Sequence, residues 1–398
     1  MTPVCRKTVR PYHLQRRRHY LKRFRKKAFV YPFTHEILPI VRDRDRLPLP
    51  FDIVELVSPK SLGYEDVDAG ELDGQGEVGL DIHRDFHRAI EQCGAVWFVE
   101  GPFSEKIRQD LIYKANEALA EELDVYYASP LENRQREILE ENARFFGVKF
   151  SYCCYADQTA MEDTISKMTK EHYSPHTPIL YISEATPTLC CCEVFFSLVE
   201  RYKQYGYKVC GIMDRPYAEM IGFHTFPRYL FSEERGSTAL VKYNNMIRHW
   251  EREETPDLFI IQMPPTLDRD FVELNYKLSK SAVFARSLSA DFTVLCLPSN
   301  IDFSEHLNLL CYFYERQQYC SLDSVILDEA ESDIDIYPRM LEVLQLHEKP
   351  AFLNKKVYES PSVYRLSGGK ITEELYEQSK ERLLYNGQFC KLKTINKR

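Results

Sequence analysis

Short, largely apolar runs alternate along this chain with polar loops and with segments whose apolar residues recur at helical spacing. Runs of four or five residues occupy 28–31, 53–57 and 95–99. Bounded by polar loops, they predict strands covered on both faces, as in a parallel sheet. A short helix is predicted just before the third run. The segment 104–123 predicts another helix, with Ser104 at the cap position, and 132–146 predicts a charged one. Residues 148–154 predict a strand that closes the unit. The loop after the second run holds Gly63, Gly70, Gly74 and Gly76, and no dinucleotide site is expected there.

The stretch TKEHYSPHTP, 169–178, has two prolines and no period, and it predicts a domain boundary. Beyond it the alternation resumes. Strands are predicted at 179–182, 208–213, 258–262, 292–297 and 324–327, with helices at 191–205, 237–251, 269–284, 304–318 and 334–346. The predicted organisation is an arm at 1–27, an N-terminal α/β domain at 28–170, a second α/β domain at 178–355, and a tail at 356–398 containing LSGGK and one more helix. The expected fold class is α/β: two Rossmann-like three-layer units, the second resembling a degenerate P-loop NTPase-type parallel sheet.

Charge changes this picture at one end. The 398-residue chain carries a formal net charge of -8. Residues 1–27 hold eleven Lys/Arg and no acid, so the other 41 bases stand against 60 acids and the body carries about -19. An arm of that kind suits nucleic acid or an acidic surface. The acidic body repels phosphate, and nucleic-acid binding is not expected. No apolar run is long enough to span a membrane, and no apolar signal core opens the chain, so a cytoplasmic protein is expected. Twelve cysteines include the contiguous sets Cys153-Cys154 and Cys190-Cys191-Cys192. Clustered cysteines in a chain this long fit reduced thiols better than a secreted disulfide framework.

Candidate chemistry centres on the loop after the first strand of the second unit, SEATPTLCCCEV. The pattern G-x-x-x-x-G-K-S/T places Ala185 and Cys190 at the glycines, Cys191 at the lysine and Cys192 at the hydroxyl. All four positions are substituted. Side chains at the glycine positions restrict close approach of the backbone to phosphate, and a thiol is a poor ligand for magnesium. Nucleotide hydrolysis is therefore not expected. The ligand-binding loop, if the scaffold retains one, comprises Glu184, Thr186, Thr188, Cys190, Cys191 and Cys192. Asp214 after the next strand and Gln262 at the end of another complete the set. The triple cysteine admits three readings: a packed helix start, a thiol activated by the helix N-terminus, or a metal site. Cys153-Cys154 with His172 and His176 has a partial zinc spacing, but prolines flank the histidines. No metal and no cofactor is expected, and no catalytic residue is assigned.

Three stretches carry a family resemblance: VYPFTHEILPIVRDRDRL (30–47), ELVSPKSLGYEDVDAG (55–70) and YKVCGIMDRPYAEMIGFHTFP (207–227). They resemble the bacterial peptide maturation system protein family, found beside radical SAM maturases and Cys-rich precursor peptides. The resemblance spans about 28–297. It implies an accessory role in making a ribosomally synthesised, post-translationally modified peptide, with the precursor peptide or the maturase as partner. The alternative is an enzyme or ligand-binding protein derived from a nucleotide loop and using a thiol-based site. The triple cysteine departs from the family's nucleotide-loop-like segment.

Overall fold

In the computed structural model, the described residues are 25–64, 66–72, 76–100, 105–153, 173–184, 189–226, 237–265, 284–285, 287–298, 322–328, 362–365 and 373–385. They form two α/β units, each built on a parallel sheet.

The first unit runs β1 (Lys27–Tyr31), α1 (Leu38–Arg42), β2 (Asp52–Val57), β3 (Ile82–His83), α2 (Phe86–Gln92), β4 (Ala95–Val99), α3 (Glu105–Ala120), β5 (Asp124–Ala128), α4 (Asn133–Phe146) and β6 (Phe150–Tyr152). Its strand order, β3-β2-β1-β4-β5-β6, reverses direction between β1 and β4. In doubly wound sheets that reversal opens a crevice at the carboxyl ends of the two strands. Every residue of β4 is buried, as a central strand covered on both faces requires.

Local signals set the helix ends. Asp85 accepts from the backbone N–H groups of His87 and Arg88 and starts α2. The side chain of Gln135 accepts from the Glu132 N–H at the start of α4. The glycine-bearing loop after β2 closes on one carboxylate. Asp68 accepts from the N–H groups of Gly70, Val78, Gly79 and Leu80 at 2.7–3.0 Å. Burial pushes this carboxyl up, and the four N–H groups outweigh it, so the net direction is down.

The second unit runs β7 (Ile179–Glu184), α5 (Leu189–Gln204), β8 (Val209–Met213), β9 (His224–Thr225), α6 (Ser237–Glu254), β10 (Leu258–Gln262), β11 (Phe292–Pro298), β12 (Ser324–Asp328), β13 (Ser362–Arg365) and α7 (Glu373–Tyr385). The sheet order is β13-β12-β11-β7-β10-β8-β9, all parallel. The central strand β7 leads through a loop into the N-terminus of α5, which is the layout of a P-loop NTPase-type sheet. Along α5, Val194, Phe195, Leu198, Val199 and Tyr202 are buried on one stripe, each contributing about 1.5–3 kcal/mol of burial.

Three differences from the sequence reading have physical causes. Strand β5 was not expected: its run DVYYA begins four residues after α3 ends, so the helical period masks it. The two-residue strands β3 and β9 are too short to show any period. The segment 356–398, expected as a tail, supplies β13 at the edge of the second sheet and α7, whose Ser379 hydroxyl meets Tyr202 of α5 at 2.9 Å. The expected helices at 269–284, 304–318 and 334–346 lie outside the described residues, save the end of the first, as does the arm at 1–24.

The two units meet in one continuous apolar core. It joins Phe33, Ile37, Ile40 and Trp97 of the first unit to Cys191, Phe195, Tyr217 and Ile221 of the second. Trp97 packs edge-on against Tyr217 with ring centroids 5.8 Å apart. Gly222 has φ +86°, and a Cβ there would sit 2.9 Å from Pro48 of the first unit, so glycine permits both the turn and the approach. At the rim, Arg46 Nη1 donates to both Glu200 carboxylate oxygens at 3.0 Å, an exposed pair that contributes little.

Candidate functional site

The carboxyl ends of the central strands of both sheets converge on this junction. From the second unit, Glu184 ends β7 and is fully buried. Arg215, two residues beyond β8, is also buried and donates from Nη2 to Glu184 Oε1 at 3.1 Å. Its Nη1 donates to the carbonyl oxygen of Asp214 at 2.8 Å. Burial works against the guanidinium's charge, but the surrounding acids, Glu184 first and Glu36 with it, outweigh it and hold the group firmly protonated. A buried pair of this kind fixes geometry more than it adds stability, because desolvation offsets most of the attraction.

Behind the pair sit the thiols. Cys191 and Cys192 are 0% and 1% exposed. Gln262 Nε2, at the end of β10, donates weakly to their Sγ atoms at 3.5 and 3.6 Å. Burial pushes the Cys192 thiol up to about 12; Arg215 opposes this, while Cys191, Glu184 and Glu36 add to it. Such a thiol stays protonated at neutral pH. A helix N-terminus lowers a thiol pKa only where the thiolate can be solvated or paired, and here the acids around it cancel that help.

The first unit adds acids from its switch point. Glu100 follows β4, and Glu36 lies in the 3-10 turn His35–Ile37 beyond β1. The Glu100 carboxyl is pushed up to about 7 by burial; Arg108 opposes, Asp214 adds, Arg215 opposes and Glu36 adds. It is poised to hold or release a proton near neutrality.

Polar atoms at the junction remain without partners. Among the described residues, Arg215 Nε, Tyr217 OH, Gln262 Oε1 and Trp97 Nε1 are buried and make no hydrogen bond. An orphaned buried donor or acceptor costs about 1–3 kcal/mol, so four around one junction mark a place where a ligand group or water completes the bonding. The arrangement can present donors from Arg215, Tyr217 and Trp97 and an acceptor from Gln262. A carboxyl that titrates near neutrality stands beside them.

Of the residues the sequence singled out, the structure brings together Glu184, Cys191, Cys192, Asp214 and Gln262. Thr186 and Thr188 lie outside the described residues. Cys190 is in the first turn of α5, and its side chain lies outside the description. Cys154 and His172 lie outside too; Cys153 is half-buried, its Sγ donating to the Ser151 carbonyl at 3.4 Å. Sequence reasoning missed Arg215, Tyr217, Glu36 and Glu100. Arg215 was legible as the neighbour of Asp214 in GIMDRP, whereas Glu36 and Glu100 carried no signal linking them to the second unit.

Comparison with known proteins supports the architecture. No protein-family model and no curated protein matches the chain. Among solved structures, a DUF1611 family protein from Anabaena variabilis is similar at TM-score 0.54 and 12% identity, over 80% of this chain and 92% of that one. At that identity the likeness speaks for the fold alone. An LAO/AO transport system kinase (TM-score 0.32, 13% identity, 74% of this chain and 82% of that one) and chloroplast FtsY from Physcomitrella patens (0.30, 12%, 71% and 90%) are more distant. The chain is thus a two-unit α/β protein, each unit built on a parallel sheet. No helix among the described residues is long and apolar enough to cross a membrane.

Proposed function

We propose that this chain is a cytoplasmic accessory protein in the maturation of a ribosomally synthesised peptide. It binds a Cys-rich precursor peptide, or the radical SAM maturase acting on it, at the junction of its two units, and it does not turn over nucleotides. The observation that carries the reading is the state of the phosphate-loop end of β7. Ala185, Cys190, Cys191 and Cys192 replace the residues that cradle phosphate, and the buried Glu184 carboxylate closes the strand end against Arg215. Negative charge at that position opposes a nucleotide's phosphates. The partnerless donors and acceptor are buried, so they would meet a peptide backbone, which offers both complementary groups, only once the junction opens. The resemblance of 30–47, 55–70 and 207–227 to the peptide maturation family supplies the setting.

Isothermal titration of the full chain with a Cys-rich precursor peptide tests this reading. Saturable binding, insensitive to ATP and magnesium and weakened by Arg215→Lys and by Glu100→Gln, is the expected result. Binding untouched by either substitution, or ATP hydrolysis above background that disappears in Asp214→Asn, overturns it.

A second reading, an enzyme using acid-base chemistry at the same junction, is favoured by Glu100. A carboxyl at about 7 matches the requirement for a general acid or base near neutral pH. It predicts turnover of a small substrate with a pH profile that Glu100→Gln abolishes.

A further inference from the structure

A second group of chemically capable side chains lies on another part of the second unit, at the edge of its sheet. Cys210 on β8, His224 on β9 and Glu254 at the end of α6 each offer one ligand atom, and these atoms lie within 4.8 Å of one another. Cys210 is buried, while His224 and Glu254 are half-buried. The imidazole Nε2 faces Glu254 Oε1 in hydrogen-bonding contact. The ring stacks on Trp250 with centroids 4.5 Å apart and planes 19° from parallel, which fixes its orientation. Glu219 is close enough for its charge to interact with that of His224. Two lysines stand nearby and are otherwise engaged: Lys208 Nζ donates to the Glu254 backbone carbonyl, and Lys203 lies over the Phe223 ring at 5.2 Å.

We propose that Cys210, His224 and Glu254 form a zinc site that fastens the edge strand β9 to the second sheet. One sulfur, one imidazole nitrogen and one carboxylate oxygen are the mixed donor set zinc accepts, whereas magnesium and calcium take oxygen donors. Bond lengths of about 2.0–2.3 Å put tetrahedral ligands roughly 3.3–3.6 Å apart, so an entering ion replaces the direct His224–Glu254 contact, and side-chain rotation brings the three atoms to ligand spacing. On binding, the Cys210 thiol releases its proton to solvent. The resulting thiolate and the Glu254 carboxylate then balance the charge of the divalent ion around a neutral imidazole. Three protein ligands leave a fourth position for water or for Glu219.

The site has a structural purpose in this fold. Strand β9 has two residues and pairs with β8 only through Ile212 with His224 and Met213 with Thr225. Few backbone bonds hold it. Thr225, next to His224, donates from its hydroxyl to the Arg215 carbonyl at 3.1 Å, so an anchored β9 also steadies the turn that carries Arg215. The expectation from the sequence was that no metal binds. His224 and Glu254 are 30 residues apart, and no short motif links them to Cys210.

The test uses the full chain, stripped with a chelator and titrated with zinc alone or cobalt alone. One zinc per chain, a cobalt complex with thiolate-to-metal charge-transfer absorption, and a higher thermal midpoint on zinc addition are expected. Cys210→Ser should lose the absorption and weaken zinc binding by at least ~100-fold, while Cys153→Ser should change neither. Should Cys210→Ser not fold, Glu254→Gln at a half-exposed position gives the second reading, with a loss of ~10–100-fold and the absorption retained. Absence of zinc binding, a cobalt complex lacking the thiolate band, or zinc affinity unchanged in both Cys210→Ser and Glu254→Gln overturns the proposal.

Discussion

The two sheets point their carboxyl ends at the same junction and equip them differently. The first, with the strand order of a dinucleotide-binding sheet, ends in half-buried acids on turns, Glu36 and Glu100. One of these is held near neutrality by burial. The second, with a P-loop type layout, ends in a sealed arrangement of Glu184, Arg215, Cys191, Cys192 and Gln262, all nearly inaccessible. The difference shows where adaptable chemistry remains. Charges that are paired and dry hold geometry, whereas an acid at the boundary of two units can change its state as a partner arrives.

Removing one member of the buried pair should break this contrast most severely. Glu184→Ala or Arg215→Ala leaves a buried charge uncompensated and should cost about 3–5 kcal/mol in chemical denaturation. Glu36→Gln on the half-buried side should cost under about 1 kcal/mol. Equal losses would erase the distinction between the two ends.

Next in size is Asp68→Ala, which takes an acceptor from four backbone N–H groups and should cost about 1–3 kcal/mol. Because the Asp68 carboxyl is depressed in the folded chain, its contribution is present above the ordinary carboxylate pKa. It is lost as pH falls through the lower, folded value. Stability curves of wild type and Asp68→Asn should therefore converge in acid.

Replacing Cys191 and Cys192 together by alanine should cost roughly 1 kcal/mol per residue, since each loses about one sulfur's worth of packing. Alkylation of Cys192 should be slow in the native chain and fast after denaturation. Rapid native labelling below neutral pH would reopen the reactive-thiol alternative.

A pH-dependent effect sharpens the other half of the comparison. The folded Glu100 carboxyl is raised from the ordinary 4.5 to about 7, so its stabilising contribution is full below about 4.5 and is lost as pH rises through about 7. Wild-type stability should decline across that window, and Glu100→Gln should flatten the decline. A wild-type curve with no slope there would remove Glu100 from the reading of the junction.

Much of this was legible in the residues because it is local. The runs KAFVY, AVWFV, ILYISE and LFIIQ could only be covered strands, and the substituted positions at Ala185, Cys190, Cys191 and Cys192 follow from spacing alone. Other features needed the fold because their partners are distant in sequence. Parallel strands pair through crossovers, so the placement of 362–365 beside β12 does not follow from any local pattern. Glu100 meets Arg215, and Cys210 meets His224 and Glu254, only once the layers have closed. The sequence by itself determined the longer apolar strands, the α/β class and the loss of the phosphate loop, since propensity and periodicity act within a few residues. The tertiary structure alone decided which charges share the dry junction, because burial and Coulomb interaction depend on distance in space.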